Sequence, residues 1–341
     1  MSSSLLVVNY RSAELAREAI RTARAASSEP LQVVVVDNSV DPDEANALRD
    51  VADALIVSEA NVGYAAAINR GRRACDGELL IITNPDVLFS ESAIDRLAQT
   101  NADVAGPALF WDDAHEWLLP PADAHDTADL LDHAIATRSR ARQRRRDLRR
   151  TRERIAFLSL TKPTPVRSIS GAVMAIRAAT FDRVRGFDER FRLYFEETDF
   201  LRRVNGDIVY VPNARCRHLY NQSAGRSPEA AALYAQSELL FLRKWSGSLM
   251  TRLIKGIERP PRIDELPFVD GPIAVDIDDA IIEASPHPQF ETAALRAANR
   301  GFIDLPKDVL AAWRGGPLYL RVVDRRSGAV LAAYQRFRMT S

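Results

Sequence analysis

Short apolar runs alternate with stretches of helical periodicity along the first third of the chain. Residues 5–8 and 31–36 (LQVVVV) are rich in β-branched side chains and predict strands; residues 13–26 between them carry apolar positions at helical spacing. A continuous apolar strand such as residues 33–36 expects burial on both faces, as in a parallel sheet. The alternation continues with a helix over 44–52, a strand at 54–57, a helix over 65–75, a strand at 78–83, a helix over 90–99 and a strand near 103–107. This order predicts an α/β fold with an open, doubly wound sheet.

From about residue 110 to 166 the pattern breaks down, and Arg138 to Arg154 (RSRARQRRRDLRRTRER) is dominated by arginine. Regular signals resume with a strand over 168–176 and helices over 178–184 and 197–204. A strand at 208–211 follows, then an amphipathic helix over 230–245. Pro260-Pro261 reads as a linker. Beyond it, residues 272–277, 302–305, 318–323 and 329–338 read as strands, with Arg325-Arg326-Ser327-Gly328 as a hairpin turn. No internal repeat is found.

Composition narrows the partners. The 341 residues include 46 basic and 46 acidic side chains, so no global field draws the chain to nucleic acid or membrane. Nucleic acid is not expected as a partner, because the arginine run lacks interleaved aromatics to stack bases. Two cysteines, Cys75 and Cys216, suggest no disulfide framework and fit a reducing cytoplasm. The opening MSSSLLVVNYRS reads as a first strand rather than a signal peptide. No stretch approaches the ~20 apolar residues that span a bilayer.

Polar clusters sit where predicted strands end, the edge at which open α/β sheets bind ligands. Asp37-Asn38-Ser39 could hydrogen-bond a pyrimidine or ribose, or simply turn the chain into the next helix. Asn61-Val62-Gly63-Tyr64, with Asn69 and Gly71 beyond, places a glycine before a helix N-terminus, a phosphate-favouring position and also an ordinary helix start. Asn84-Pro85-Asp86 offers oxygen ligands suited to Mg²⁺ or Mn²⁺, and is equally good turn chemistry. Glu196, Glu197 and Asp199 open a helix, where acids are favoured by the helix dipole. Behind the aromatics Phe191, Tyr194 and Phe195, they also suit a catalytic base. His218, before Ser223 and Gly225, could complete a metal shell or contact phosphate, though a lone histidine is more often structural.

Taken in order, VVNY (7–10), VVDNS (35–39), NVGYAAAINRG (61–71), TNPDV (83–87), SGAVMAIR (170–177), GFDERFRLYFEETDFLRR (186–203) and His218 form one series. The series, over residues 4–247, resembles family-2 inverting glycosyltransferases of the rhamnosyltransferase-like branch. The resemblance implies a GT-A fold, with residues 1–250 as the transferase domain. About 1–106 would be its nucleotide-binding half, and 107–250 an acceptor half with a basic insertion at 138–154. A β-rich accessory domain would occupy 262–341.

By the same resemblance, Asp37 and Asn38 would meet the nucleotide, with Val8, Asn9 and Tyr10 lining that pocket. Asn61, Gly63, Tyr64, Asn69 and Asn84 would complete the donor site. Asp86 and His218 would hold Mn²⁺ or Mg²⁺, and Gly171 would face donor sugar and acceptor. Glu197 stands at the base position, where the family's usual residue is aspartate; Asp199 and Glu196 remain alternatives.

The implied activity is hexosyl transfer from a nucleotide-diphosphate sugar, dTDP-rhamnose or a UDP-sugar, to a glycan or lipid-linked acceptor in cell-surface polysaccharide synthesis. A catalytically silent nucleotide-sugar-binding partner of a glycan assembly complex is the competing class. A nucleotidyltransferase would want a glycine-rich loop after the first strand, where Asn9-Tyr10-Arg11-Ser12 has none. Two readings stand for Arg138 to Arg154: a solvated helix or loop, or a peripheral contact with the anionic inner face of a membrane. An oligomer is also compatible with the sequence.

Overall fold

The computed structural model describes residues 1–121, 125–219, 228–260, 265–313 and 316–337. Ser223, Gly225, Pro261 and Arg338 lie outside the described residues. In chain order the first elements are β1 (Ser3–Asn9), α1 (Ala13–Ala25), β2 (Leu31–Asp37), α2 (Pro42–Leu48), β3 (Ala54–Val57), α3 (Tyr64–Arg72), β4 (Leu79–Thr83), β5 (Val87–Phe89), α4 (Ala93–Ala98) and β6 (Val104–Phe110). Then come β7 (Leu118–Leu119), α5 (Thr127–Ala136), α6 (Arg140–Phe157), β8 (Thr164–Pro165), β9 (Val173–Arg177), α7 (Ala178–Arg183), α8 (Glu196–Arg203), β10 (Ile208–His218) and α9 (Pro228–Ile257), which breaks at Gly247. The tail holds β11 (Ile273–Val275), β12 (Ala280–Ser285), β13 (Ala294–Ala298), β14 (Gly301–Ile303), α10 (Lys307–Ala312), β15 (Tyr319–Asp324) and β16 (Val330–Gln335).

The chain divides into two compact units, the first built chiefly from Met1–Leu109 and Thr161–Phe241. Its sheet runs β6-β9-β4-β1-β2-β3. Strands β3, β2, β1 and β4 are parallel, and β9 enters antiparallel between β4 and β6. All seven residues of β1 and all five of β4 are buried, as their unbroken apolar runs require of strands covered on both faces. Helix α1 buries Ala13, Ala16, Ala19, Ile20 and Ala23 along one stripe. In α3, Gly71 lets the helix lie close on Leu6 and Val36; an added Cβ would stand 2.9 Å from Val36. The α/β sheet expected from the alternation is therefore present, with β9 as an antiparallel member.

The second unit is built from Phe110–Pro120, His125–Leu160 and Leu242–Ser341. Its strands pair antiparallel in the order β16-β15-β12-β13-β7, with β11 and β14 as a separate pair. The sequence did not signal β12 or β13: β12 (AIIEAS) carries a glutamate, and β13 (ALRAA) is alanine-rich and helix-prone. Helices α5 and α6 fill the stretch where periodicity failed. The buried positions of α6 are Arg146, Thr151, Arg154 and Ile155, so its inward face carries little apolar signal.

Much of the arginine run is engaged inside this unit. Arg146 is buried against Asp129 and Asp132, Arg150 donates to the Glu291 carbonyl, and Arg152 donates to the Ser327 carbonyl at 2.9 Å. Arg154 donates to Glu283 at 2.9 Å, and Arg321 pairs with the other oxygen of the same carboxylate. Both guanidinium groups also reach Thr151, and Arg321 lies 4.1 Å from the Phe290 ring centroid. Burial alone would raise the Glu283 carboxyl, but the Arg154 and Arg321 charges hold it below the usual carboxylate range. A depressed carboxyl contributes stability that is present above its unfolded pKa and is lost as pH falls through the folded one. Glu283→Gln would take from two buried guanidinium groups the carboxylate that both of them bond. We expect a loss of about 3 kcal/mol, read by urea unfolding at neutral pH, shrinking as pH falls through the folded pKa of Glu283.

Candidate active site

Parallel register aligns the carboxyl ends of the central strands. Asn9 stands beside Asp37 across β1 and β2, while Val7 pairs with Thr83 across β1 and β4. Asn9 is fully buried, and its amide donates to Asp37 Oδ1 at 2.9 Å, Ser39 Oγ at 3.1 Å and Glu44 Oε2 at 2.9 Å. Glu44 also accepts from the Ala13 amide, tying α2 to the start of α1. The other acceptor of Asp37, Oδ2, and the Oδ1 of Asn38 are buried without a hydrogen-bond partner. Val8 is buried, whereas Tyr10 is exposed with the Arg11 guanidinium 5.6 Å from its ring centroid.

Gly63 is the hinge of the second motif. Its φ of +87° sets the N-cap of α3, and Asn61 Oδ1 accepts from its amide at 3.0 Å. An added Cβ would sit 2.9 Å from the Arg192 carbonyl, which accepts the Tyr64 amide at 2.8 Å. Gly63→Ala combines positive φ with this collision. We expect a loss of roughly 2 kcal/mol or more, seen as a lowered melting temperature. Asn69 has a structural occupation: its side chain accepts from the Phe187 amide and donates to the Phe187 carbonyl, both at 2.9 Å.

Tyr64 joins the motifs. Its hydroxyl donates to Asn84 Oδ1 at 3.3 Å. Burial, followed by the charges of Glu196, Glu197 and Asp86, drives the phenol pKa far above its ordinary value. Carboxylates from the turn after β4 and from the start of α8 therefore act on one side chain. Asp86 is buried, and His218 Nε2 lies 3.5 Å from its Oδ1. Two backbone contacts bring them together: β10 pairs His218 with Val87, and the Leu219 amide donates to the Asp86 carbonyl at 3.0 Å. Burial works to raise the Asp86 carboxyl, and the His218 ring outweighs it, so the net direction is down. Among the described residues no group of three or more His, Cys, Asp or Glu side chains converges to hold a metal.

The three acids of α8 separate by environment. Asp199 is fully buried and accepts from Arg203 Nε at 2.9 Å, an i,i+4 pair that EETDFLRR spells out. Glu196 and Glu197 each keep one buried oxygen, Oε2, without a hydrogen-bond partner. Burial raises both carboxyls, that of Glu196 further because Glu197 lies beside it. Glu197 packs against Gly171, where an added Cβ would come within 2.9 Å of its Cγ. Ahead of the helix, Tyr194 and Phe195 hold φ of +68° and +66°. Aromatic residues rarely adopt this conformation, and it is kept here by packing of both rings on Tyr234 and of Phe195 on Phe241.

The first unit thus gathers Gly171, Glu196 and Glu197 with Tyr64, Asn84, Asp86 and His218, while Asp37 and Asn38 stand on the neighbouring strand end. Arg192 and Glu44 were not singled out from the sequence. Arg192 acts through its backbone carbonyl and through a guanidinium that donates to the Asn61 carbonyl at 2.9 Å, and it looks like any surface arginine in sequence; Glu44 resembles any acid in a first helical turn.

Residues 4–178 match the model of Glycosyl transferase family 2. The chain belongs to that family. Two Mycobacterium tuberculosis proteins, of strains CDC 1551 / Oshkosh and ATCC 25618 / H37Rv, are similar along most of the family-2 chain. Each is named N-acetylglucosaminyl-diphospho-decaprenol L-rhamnosyltransferase and is 28% identical over 287 residues, covering 72% of this chain and 91% of the relative. Among solved structures, a mannosyltransferase from Pyrobaculum calidifontis in complex with GDP-Man and Mn²⁺ aligns at 16% identity and a TM-score of 0.43, covering 74% of each chain. The S. aureus TarS 1-349 structure aligns at 15% identity and a TM-score of 0.41, covering 72% of this chain and 73% of that one. This family-2 glycosyltransferase has the GT-A fold, with the additional β-rich C-terminal region.

Proposed function

We propose that this family-2 glycosyltransferase transfers a sugar, with inversion, from a nucleotide-diphosphate donor to a hydroxyl of a lipid-linked or glycan acceptor. An L-rhamnosyl donor is the first choice, following the name of the mycobacterial relatives. One observation carries the reading: the Asn84 backbone amide donates to the Ala172 carbonyl at 2.9 Å, so the turn that carries Asp86 lies against the Gly171 segment on which Glu197 packs. A donor-holding group and a proton acceptor thereby share one site.

The free acceptors of Asp37 and Asn38 suit N–H and O–H donors of a nucleoside. Asp86 and His218, 3.5 Å apart, suit two positions around a divalent cation, with diphosphate oxygens and water taking the rest. When bound, such a cation would offset the charge building on the leaving diphosphate. An imidazole ligand favours Mn²⁺ over Mg²⁺.

Glu197 receives the proton of the acceptor hydroxyl as that oxygen attacks the anomeric carbon. Its elevated affinity for protons, which comes from burial, suits this role. Gly171 supplies the gap in which the Glu197 stem lies and in which a sugar can approach it. Tyr64 and Asn84 orient one another beside the diphosphate position.

The test is turnover of dTDP-, UDP- and GDP-sugars with Mn²⁺ or Mg²⁺, using a lipid-linked N-acetylglucosaminyl diphosphate acceptor, with product configuration read by NMR. An inverted product with one donor supports the reading. A retained configuration would exclude single displacement. Nucleotide-sugar binding with no turnover would make the chain a silent binding partner.

A further inference from the structure

The second unit carries an apolar helical face that its own fold leaves open. Residues 248–257, beyond the break at Gly247, form the last turns of α9. One side is committed: Ile254 is buried with Ala134 and Leu242, and Met250 and Ile257 pack against the same cluster. The opposite side presents Leu249, 82% exposed, and Leu253, 48% exposed, at i,i+4 spacing. Among the described residues Leu249 is the most exposed of the large apolar side chains. Gly256, one turn on, is also exposed and adds no bulk.

Charge says what covers this face. Arg252 lies between the two leucines in sequence and is exposed, as is Arg259 just past the helix. Arg138, the first member of the arginine run, is exposed too and donates to the Gly256 carbonyl at 3.1 Å. Glu258, the only acid in residues 248–259, is half-buried and bonded to Lys255 at 2.8 Å. Exposed leucines beside Arg252, on a helix that ends at Arg259 and at the Arg138 guanidinium bonded to the Gly256 and Ile257 carbonyls, with the one acid of 248–259 half-buried, fit a surface that is hydrocarbon within and anionic at its boundary.

We propose that this face, centred on Leu249 and Leu253, docks the protein on an anionic lipid bilayer. The leucines enter the boundary between headgroups and acyl chains, and Arg138, Arg252 and Arg259 meet lipid phosphates. Among the described residues no helix is long and apolar enough to cross a membrane, so the contact is one of lying on the surface. Membrane contact thereby shifts from the arginine run as a whole, much of which is paired within the unit, to its first residue and the end of α9. The purpose of such docking rests on the lipid-linked acceptor proposed above. The docking itself does not, because the test below uses neither donor nor acceptor, and its failure would leave the transfer reading standing.

The test is co-sedimentation of the full chain with vesicles of phosphatidylcholine alone or mixed with phosphatidylglycerol. Binding is expected only with phosphatidylglycerol present, weakening as salt is raised. Leu249→Ser with Leu253→Ser should lower the partition coefficient by about tenfold or more, since two apolar side chains are withdrawn. Arg252→Glu with Arg259→Glu should remove the preference for phosphatidylglycerol. Circular dichroism and melting temperature should be unchanged, as all four side chains are exposed. Absence of sedimentation by the wild type would overturn the proposal, as would equal partitioning of the leucine variant. A wild-type dimer dissolved by the leucine substitutions, with vesicle binding unaffected, would assign the face to a second copy instead.

Discussion

Glu197→Gln is expected to lower kcat for sugar transfer by roughly 10²–10⁴-fold while nucleotide-sugar affinity is retained. The amide keeps the shape that packs on Gly171 but cannot take a proton from the acceptor hydroxyl. The same substitution should raise stability. Burial lifts the Glu197 carboxyl above its ordinary value, so the native state holds that proton more tightly than the unfolded chain does. The resulting contribution is fully present below the unfolded value of about 4.3 and is lost as pH rises through the folded value. Above that folded value the ionised side chain is a net burden, and the amide should then be the more stable of the two. In the wild type, transfer should rise with pH through an apparent pKa above the usual glutamate range, one that belongs to the Glu196–Glu197 pair rather than to either residue. The Gln variant should lack that limb. A variant that keeps wild-type turnover would remove Glu197 from the chemistry and pass the role to Glu196.

Asp86→Ala is the second large effect. It removes the carboxylate facing His218 but not the Asp86 carbonyl that accepts the Leu219 amide, so the strand-end turn should persist. We expect about a 10³-fold loss of turnover, consistent with several kcal/mol of charge stabilisation at the leaving group. The remaining rate should be insensitive to Mn²⁺. An independent reading comes from melting curves: Mn²⁺ with a nucleoside diphosphate should stabilise the wild type and leave the variant unmoved. A full Mn²⁺ response in the variant would place the cation elsewhere.

The parts of the fold that announce themselves in sequence are those whose burial is apolar. LQVVVV and LLIIT can only be strands covered on both sides, and their ends carry DNS and NPD because a chain leaving a buried strand must turn at the surface. Order along the chain then placed Asp37, Asp86 and Glu197 in one unit. Their division of labour was less legible. Asp199 and Glu197 look alike in EETDF; only the Arg203 pairing and the Gly171 gap separate the one that is neutralised from the one left open. Asn69 resembled a ligand contact and is occupied by the Phe187 backbone, a partner far along the chain. The second unit hid most, because it buries charge: Arg154, Glu283 and Arg321 occupy positions where hydrophobic periodicity is sought. α6 therefore read as a solvated tract or a membrane-contacting one.

That buried triad ties two distant stretches of the chain into a shared fate. Arg150, Arg152 and Arg154 find their acceptors at Glu291, Ser327 and Glu283, all in the tail. Cutting the chain after α9 would strip those acceptors from Arg150, Arg152 and Arg154, while Arg146 kept Asp129 and Asp132. Arg150 and Arg152 meet backbone carbonyls, which any tail residue would supply, whereas Arg154 meets the Glu283 side chain, so Arg154 and Glu283 should be inherited, lost or exchanged together.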